Sequence, residues 1–345
     1  MLFHILWLIS NLTPDNLMVK LFFFKNHIFD LFQIISDKYE FEEEINKILI
    51  KVINNNCRPT NFDGYEKEYI KIIPFLFKQI NLFDEFKSIN MCLYLLYKFS
   101  DTRNINILDS LLKNKVHLKI IEIYYDIKNS FYNDEEKIQL KLYILKIIGN
   151  ITSGEDDNSY ILMKDNIIKF IQFLLLDNDD LIIKHTLWII RNLILSLPGN
   201  LSQFFQNNII NQIIDIGINI YDIFSNNFQG NENLLIAFKH LIYIIYFIIN
   251  DHIDEYCFKI LNYKSSICLM FLIFGLSLFQ NDLTIIKMIF DCLHLIIVFD
   301  EKHNLNFFNL MLSFNLESNL EILINCNDDL ISEEAEFFHN KIING

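Results

Sequence analysis

Residues 150–196 read NITSGEDDNSYILMKDNIIKFIQFLLLDNDDLIIKHTLWIIRNLILS. After Asn150 the run Thr152-Ser153-Gly154-Glu155-Asp156-Asp157 breaks a helix, because glycine supplies a permissive C-terminal conformation and the acids suit the start of the next helix. A short helix is expected from Ser159 to Lys164. Asp165 or Asn166 then caps a second helix, whose apolar positions Ile167, Ile168, Ile171, Phe173, Leu174 and Leu175 end at the polar turn Asp177-Asn178-Asp179-Asp180. A third helix follows from about Leu181 to Leu195.

A short helix, a second helix, a turn and a long helix within roughly 42 residues is the period of armadillo or HEAT repeats, whose units bury their faces only by stacking on neighbours. The phrase recurs with a helix-terminal anchor at Asn11, Asn55, Lys98, Asn150 and Asn192, at spacings of 44, 43, 52 and 42 residues. The long spacing accommodates an extra polar stretch around Ser130 to Lys137. A further anchor at Phe247 requires another insertion near Ser225 to Glu232, His294 takes the next anchor place, and residues 315–343 read as C-terminal capping helices. The expected fold is all-α: one armadillo-repeat array over residues 1–345, wound as a right-handed superhelical solenoid.

Composition agrees with helices joined by brief turns. Only 8 Gly and 4 Pro punctuate a chain of 345 residues that is 52% hydrophobic, which is enough apolar material for a large core. Asn is abundant, at 41 residues, so only the position of an asparagine is informative. The net charge of −14 argues against unaided contact with nucleic acid or anionic membrane and favours a basic partner. Six scattered cysteines, Cys57, Cys92, Cys257, Cys268, Cys292 and Cys326, form no CxxC pair, as expected of reduced thiols in a cytoplasmic or nuclear protein. No zinc site is legible, and no cofactor is expected. The apolar runs Leu234 to Ile249 and Ile267 to Phe279 fall short of the ~20 residues that span a bilayer, so buried repeat helices are expected there. Residues Met1 to Ile9 lack a basic flank and do not read as a signal peptide. Dispersed histidines and the absence of a Gly-rich phosphate loop or GxSxG give no constellation for catalysis.

The two tryptophans are each followed four residues later by Asn, in Trp7-Leu8-Ile9-Ser10-Asn11 and Trp188-Ile189-Ile190-Arg191-Asn192. Residues i and i+4 lie one turn apart on one helix face, so each pair stands side by side on a third helix. Asn side chains, which both donate and accept, would meet the backbone of a peptide laid along such a face. The indoles would form slots for the stems of Lys or Arg. An indole in an apolar chain is more often core than platform, and the pairing is what raises the binding reading.

The segment Leu145-Lys146-Ile147-Ile148-Gly149-Asn150-Ile151-Thr152-Ser153-Gly154-Glu155-Asp156 resembles the importin-α repeat that ends in a basic residue, three residues, Asn and a Thr-Gly-Asp-type turn. The next unit ends in WxxxN at Trp188 and Asn192, as that family's following repeat does, and Trp7 to Asp15, WLISNLTPD, is similar to its WxxxNxxxD. Asn54-Asn55-Asn56-Cys57-Arg58 is similar to the Asn-x-Cys-Arg ending, with Lys51 where Trp is expected. The resemblance implies a nuclear import adaptor that binds basic localisation signals through Trp7, Asn11, Asp15 and Asn55 at one site, and through Lys146, Asn150, Gly154, Asp156, Trp188 and Asn192 at a second. Asp15 would receive the key lysine. It also implies an export-receptor contact in the closing helical pair, Leu320 to Ile343, and a nuclear and cytoplasmic distribution. The chain departs from the family in several places. The Arg-rich segment that recruits importin-β and two repeats have no counterpart, which puts importin-β recruitment in doubt, and His185 stands where a glutamate precedes Trp188. Tyr243 and Phe247 replace the next Trp and Asn. A scaffold that keeps the fold without signal binding is the alternative.

Overall fold

A computed structural model describes residues 1–14, 16–40, 42–57, 66–82, 85–102, 104–127, 130–226, 231–303, 305–326 and 328–344. Every regular element among them is helical. Contacts group the chain into two units, Met1–Ile167 and Ile168–Gly345.

Unit 1 opens with α1 (Leu2–Leu12), followed by α2 (Leu17–Lys25), α3 (Ile28–Lys38) and α4 (Glu43–Cys57). Asn16 starts α2 by accepting from the Val19 amide at 3.1 Å, which satisfies a backbone donor that the helix cannot. Helices α5 (Glu66–Leu82) and α6 (Phe86–Asp101) come next, with Pro74 inside α5. Then come α7 (Ile105–Lys113), α8 (Val116–Ile127), α9 (Asp134–Thr152) and α10 (Asp156–Lys164). The long third helices lie side by side, α1 on α4, α4 on α6 and α6 on α9. A capping box at Asn133 and Glu136 fixes the start of α9, at the polar stretch read as an insertion.

Unit 2 holds α11 (Ile167–Leu174, of which Ile167 belongs to unit 1), α12 (Asp180–Ser196), α13 (Leu201–Gln206), α14 (Ile209–Ser225) and α15 (Glu232–His252). A π-turn at Ile253–Cys257 leads into α16 (Phe258–Asn262), followed by α17 (Ile267–Leu278), α18 (Leu283–His303), α19 (Phe307–Ser313), α20 (Leu316–Ile324) and α21 (Asp329–Asn344). Here α12 packs on α15, α15 on α18 and α18 on α21. On these helices Ile189, Ile190 and Leu193, Leu241, Ile244 and Ile248, and Ile289, Leu293 and Ile296 are all buried. Each such side chain contributes about 1.5–3 kcal/mol on leaving water. At Gly217 a Cβ would lie 2.5 Å from Leu241 and 2.7 Å from Phe271, so this glycine sets how closely α14 approaches α15 and α17.

The elements read from residues 150–196 are present with shifted ends. Helix α10 begins at Asp156 rather than Ser159, because Asp156 and Asp157 fit its first turn beside the helix dipole. Helix α12 begins at Asp180, with the Asp179 carboxylate accepting from the Leu181 and Ile182 amides at 2.9 and 3.2 Å. The expectation that the run Leu234 to Ile249 falls short of bilayer length is corrected. Glu232–Asn262 is long and apolar enough by length and composition, because α15 continues through the π-turn. Its Phe238, Leu241, Ile242, Ile245 and Ile249 are buried in the unit, as in a core helix.

One periodic device went unread in the sequence. The turn between first and second helices carries a left-handed residue at His27, Lys115, Asn166, Asn208, Ser266 and Asn315. With few glycines available, asparagine takes half of these positions, being the residue that tolerates this conformation best after glycine.

Candidate peptide-binding face of the third helices

In unit 1 the first Trp–Asn pair stands open. Trp7 is 50% exposed and Asn11 is exposed on α1, while Asp15 lies outside the described residues. The next predicted rung, Asn55 on α4, is buried and its side-chain amide donates to the Ser10 carbonyl at 2.8 Å and the Ser10 hydroxyl at 3.2 Å. Lys51, one turn before it, is exposed and lines a cleft of about 230 Å³ with Phe3, Lys47, Lys87 and Met91. Lys47 is held by Glu43 at 2.6 Å and Glu85 at 2.9 Å.

Asn150 on α9 repeats this arrangement. It is 6% exposed, and its amide donates to the Ser100 hydroxyl of α6 at 2.9 Å. The asparagines at 55 and 150 therefore tie one third helix to the one before it. The donors assigned to a ligand backbone are spent inside the protein. The reason is geometric, since the small Ser10 and Ser100 side chains let the amide reach the neighbouring helix. Gly154 and Asp156 serve the turn after α9. A Cβ at Gly154 would meet Asn158 at 2.7 Å and Leu108 at 2.9 Å, and Asp156 is exposed in the first turn of α10.

The part-exposed stripe of α6 and α9 is aromatic and basic. Tyr97 stacks with Tyr143 at 5.8 Å between ring centres, and Tyr94 meets Tyr143 edge-on at 5.8 Å. Lys146 lies 5.1 Å from the Tyr97 ring, and Lys98 lies 5.3 Å from Tyr97 and 5.9 Å from Tyr94. Burial and the nearby Asp101 push the Tyr97 phenol up. The chain's own ammonium groups thus occupy the ring faces that a ligand's lysine would use.

In unit 2 the stripe runs along α12 and α15. Lys184, His185, Trp188 and Arg191 are part-exposed on α12, as are His240, Tyr243, Tyr246 and Phe247 on α15. His185 meets Trp188 edge-on at 6.0 Å and Tyr243 stacks with Phe247 at 6.4 Å. Asn192, the last predicted rung, is buried at 6% exposure. Arg191 was missed in the sequence; it lies 4.9 Å from the Tyr243 ring centre and its Nη1 donates to His240 Nδ1 at 3.4 Å. On α18 the exposed stripe turns to Lys287, Asp291 and His294. No group of three potential metal ligands occurs among the described residues. Cys92, Cys257, Cys268 and Cys292 are buried free thiols, and burial raises each of them.

No protein-family model and no curated protein matches the sequence. Solved structures do match. The designed armadillo repeat protein YIII(Dq)4CqI is similar over 78% of this chain and 99% of its own, at 14% identity and a TM-score of 0.52. The designed protein YIII(Dq.V1)4CPAF, solved with the peptide (KR)4, is similar over 79% of this chain and 99% of its own, at 14% identity and a TM-score of 0.52. Computationally designed armadillo repeat proteins for modular peptide recognition give 15% identity, 78% and 99% coverage and a TM-score of 0.52. The importin-α resemblance rests on the sequence motifs, and what the structures establish is the fold class: an all-α solenoid of armadillo type.

Proposed function

We propose that the chain is an armadillo-repeat interaction scaffold whose third-helix face takes an extended peptide of a partner protein. The observation that carries this reading is the part-exposed aromatic stripe Trp188, Tyr243 and Phe247, set on neighbouring third helices of unit 2 and interleaved with hydrogen-bonding side chains. Large rigid aromatics at an open face supply contact area at little entropic cost. Designed armadillo proteins of similar fold are described as recognising peptides, which supports the same use of the face here. The test is an array of 15-residue peptides probed with the purified full chain. Binders are expected, and Trp188→Ala with Tyr243→Ala should weaken them about tenfold or more. An array without binders, or binders indifferent to the double substitution, overturns the scaffold reading.

A second reading, the import adaptor for basic signals, is favoured by the open pair Trp7 and Asn11 and by the net charge of −14. On that reading the protein would be nuclear and cytoplasmic, with α20 and α21 meeting an export receptor. Against it stand Lys98 and Lys146 on the Tyr97 rings, the spent amides of Asn55 and Asn150, and His185 beside Trp188. Titration with (KR)4 decides: the adaptor needs binding at low salt that weakens in Trp7→Ala, and the scaffold reading alone does not.

A further inference from the structure

The third-helix face of unit 2 carries a cation that its surroundings do not neutralise. Arg191 is part-buried, its Nε is buried without a hydrogen-bond partner, and among the described residues no carboxylate pairs with it. Burial alone acts to hold the guanidinium below its ordinary range. Arginine does not shed its proton in a protein, so the charge remains, with no counter-ion to offset its burial.

The neighbouring imidazole supplies no countercharge. Because Arg191 can only donate, His240 Nδ1 must accept, which requires a neutral imidazole protonated on Nε2. Burial, together with Arg191, His185, Lys239 and Lys184, holds His240 down to about 3. The charged groups that act on it most strongly, Arg191, His185 and Lys184 from α12 and Lys239 from α15, are basic. Lys239 is neutralised by Asp282 at 2.6 Å, and Lys184 reaches the neutral Asn233 side-chain oxygen at 2.7 Å. The Tyr243 ring lies 4.9 Å from the guanidinium, and Trp188 stands three residues before Arg191, on the neighbouring turn of the same helix.

We infer that the Arg191–His240–Tyr243 cluster receives a carboxylate, the Asp or Glu side chain of an extended partner peptide, on the guanidinium of Arg191. A planar guanidinium binds carboxylate with two parallel charge-assisted hydrogen bonds, and the Trp188 and Tyr243 rings would hold the ligand's methylene stem. The chain's overall charge of −14 does not oppose this at contact. At physiological salt charges farther than about 8 Å are screened, and those acting most strongly on the adjoining His240 are basic. The inference rests on the scaffold reading and adds the chemistry of one contact.

The test uses the full chain and three labelled peptides: a Glu-rich 12-residue peptide, its Gln counterpart and (KR)4. The Glu peptide should bind at least tenfold tighter than the Gln peptide. Arg191→Gln should abolish that preference without lowering the melting temperature, because it removes an unpaired part-buried charge. Arg191→Lys should keep part of the preference, since the charge survives and the fork does not. Equal binding of Glu and Gln peptides, a preference that survives Arg191→Gln, or strongest binding of (KR)4 at this face overturns the carboxylate site and leaves the scaffold standing. Failure of every peptide, including the array, overturns the scaffold and the site with it.

Discussion

The two copies of Trp-x-x-x-Asn are the same five-residue phrase in two surroundings. On α1 the pair is open, with Trp7 half exposed and Asn11 in solvent. On α12 the pair is built in, with Asn192 buried and Trp188 part-buried beside His185. On the face of α12 that carries Arg191, His240 and Tyr243 of α15 reach across to the guanidinium and leave it part-exposed. A motif therefore fixes which side chains share a helix face, and the neighbouring helix fixes whether that face is a surface. Asn55 and Asn150 show the same rule, since each leaves the surface to hold a serine of the preceding third helix.

The largest test of this contrast is a core truncation on each helix. Leu187→Ala on α12 removes a fully buried side chain and should cost about 2–5 kcal/mol in urea unfolding. Leu8→Ala on α1, where the side chain is 53% exposed, should stay within about 0.5 kcal/mol. Comparable losses at both positions would break the comparison.

The next effect is a pH dependence confined to the α12–α15 contact. In the unfolded chain His240 protonates as pH falls below 6.5, whereas the folded chain resists until about 3. The unfolded state thus binds more protons, and stability falls as pH drops through this window. At about 1.4 kcal/mol per pH unit, the drop from pH 6.5 to 5 removes at most about 2 kcal/mol. His240→Gln should flatten this part of the profile, and a profile unchanged by the substitution would show that the imidazole is not held neutral.

A smaller difference separates the asparagines. Asn55→Ala deletes a buried amide that serves Ser10 and should cost about 1–2 kcal/mol. Asn11→Ala, on an exposed position, should cost less than about 0.5 kcal/mol. A loss at Asn11 as large as at Asn55 would mean that the first pair is also built in.

The repeat was legible because it is written locally. Polar clusters such as Asp177 to Asp180 break a 3.6-residue apolar period, and that pattern alone places α10, α11 and α12 to within a few residues. The importance of Asn166, Asn208 and Asn315 as left-handed turn residues was hidden by the abundance of asparagine elsewhere. The fate of Asn55, Asn150 and Asn192 was not legible, because it depends on which residue a neighbouring helix brings to within about 3 Å. Arg191 stands inside the second motif, between Trp188 and Asn192. Its significance is the lack of a carboxylate around it, which no linear spacing can display.

Because the chain has only two tryptophans, fluorescence reads each face separately. In Trp7→Phe, Trp188 is the sole indole, and acrylamide quenching of the full chain measures its exposure with and without the Glu-rich peptide. The account predicts that the peptide protects Trp188 from the quencher, that its Gln counterpart protects it at least tenfold less well at equal concentration, and that Arg191→Gln erases the difference. Unchanged quenching of Trp188 at saturating concentrations of every peptide that the chain binds would contradict it.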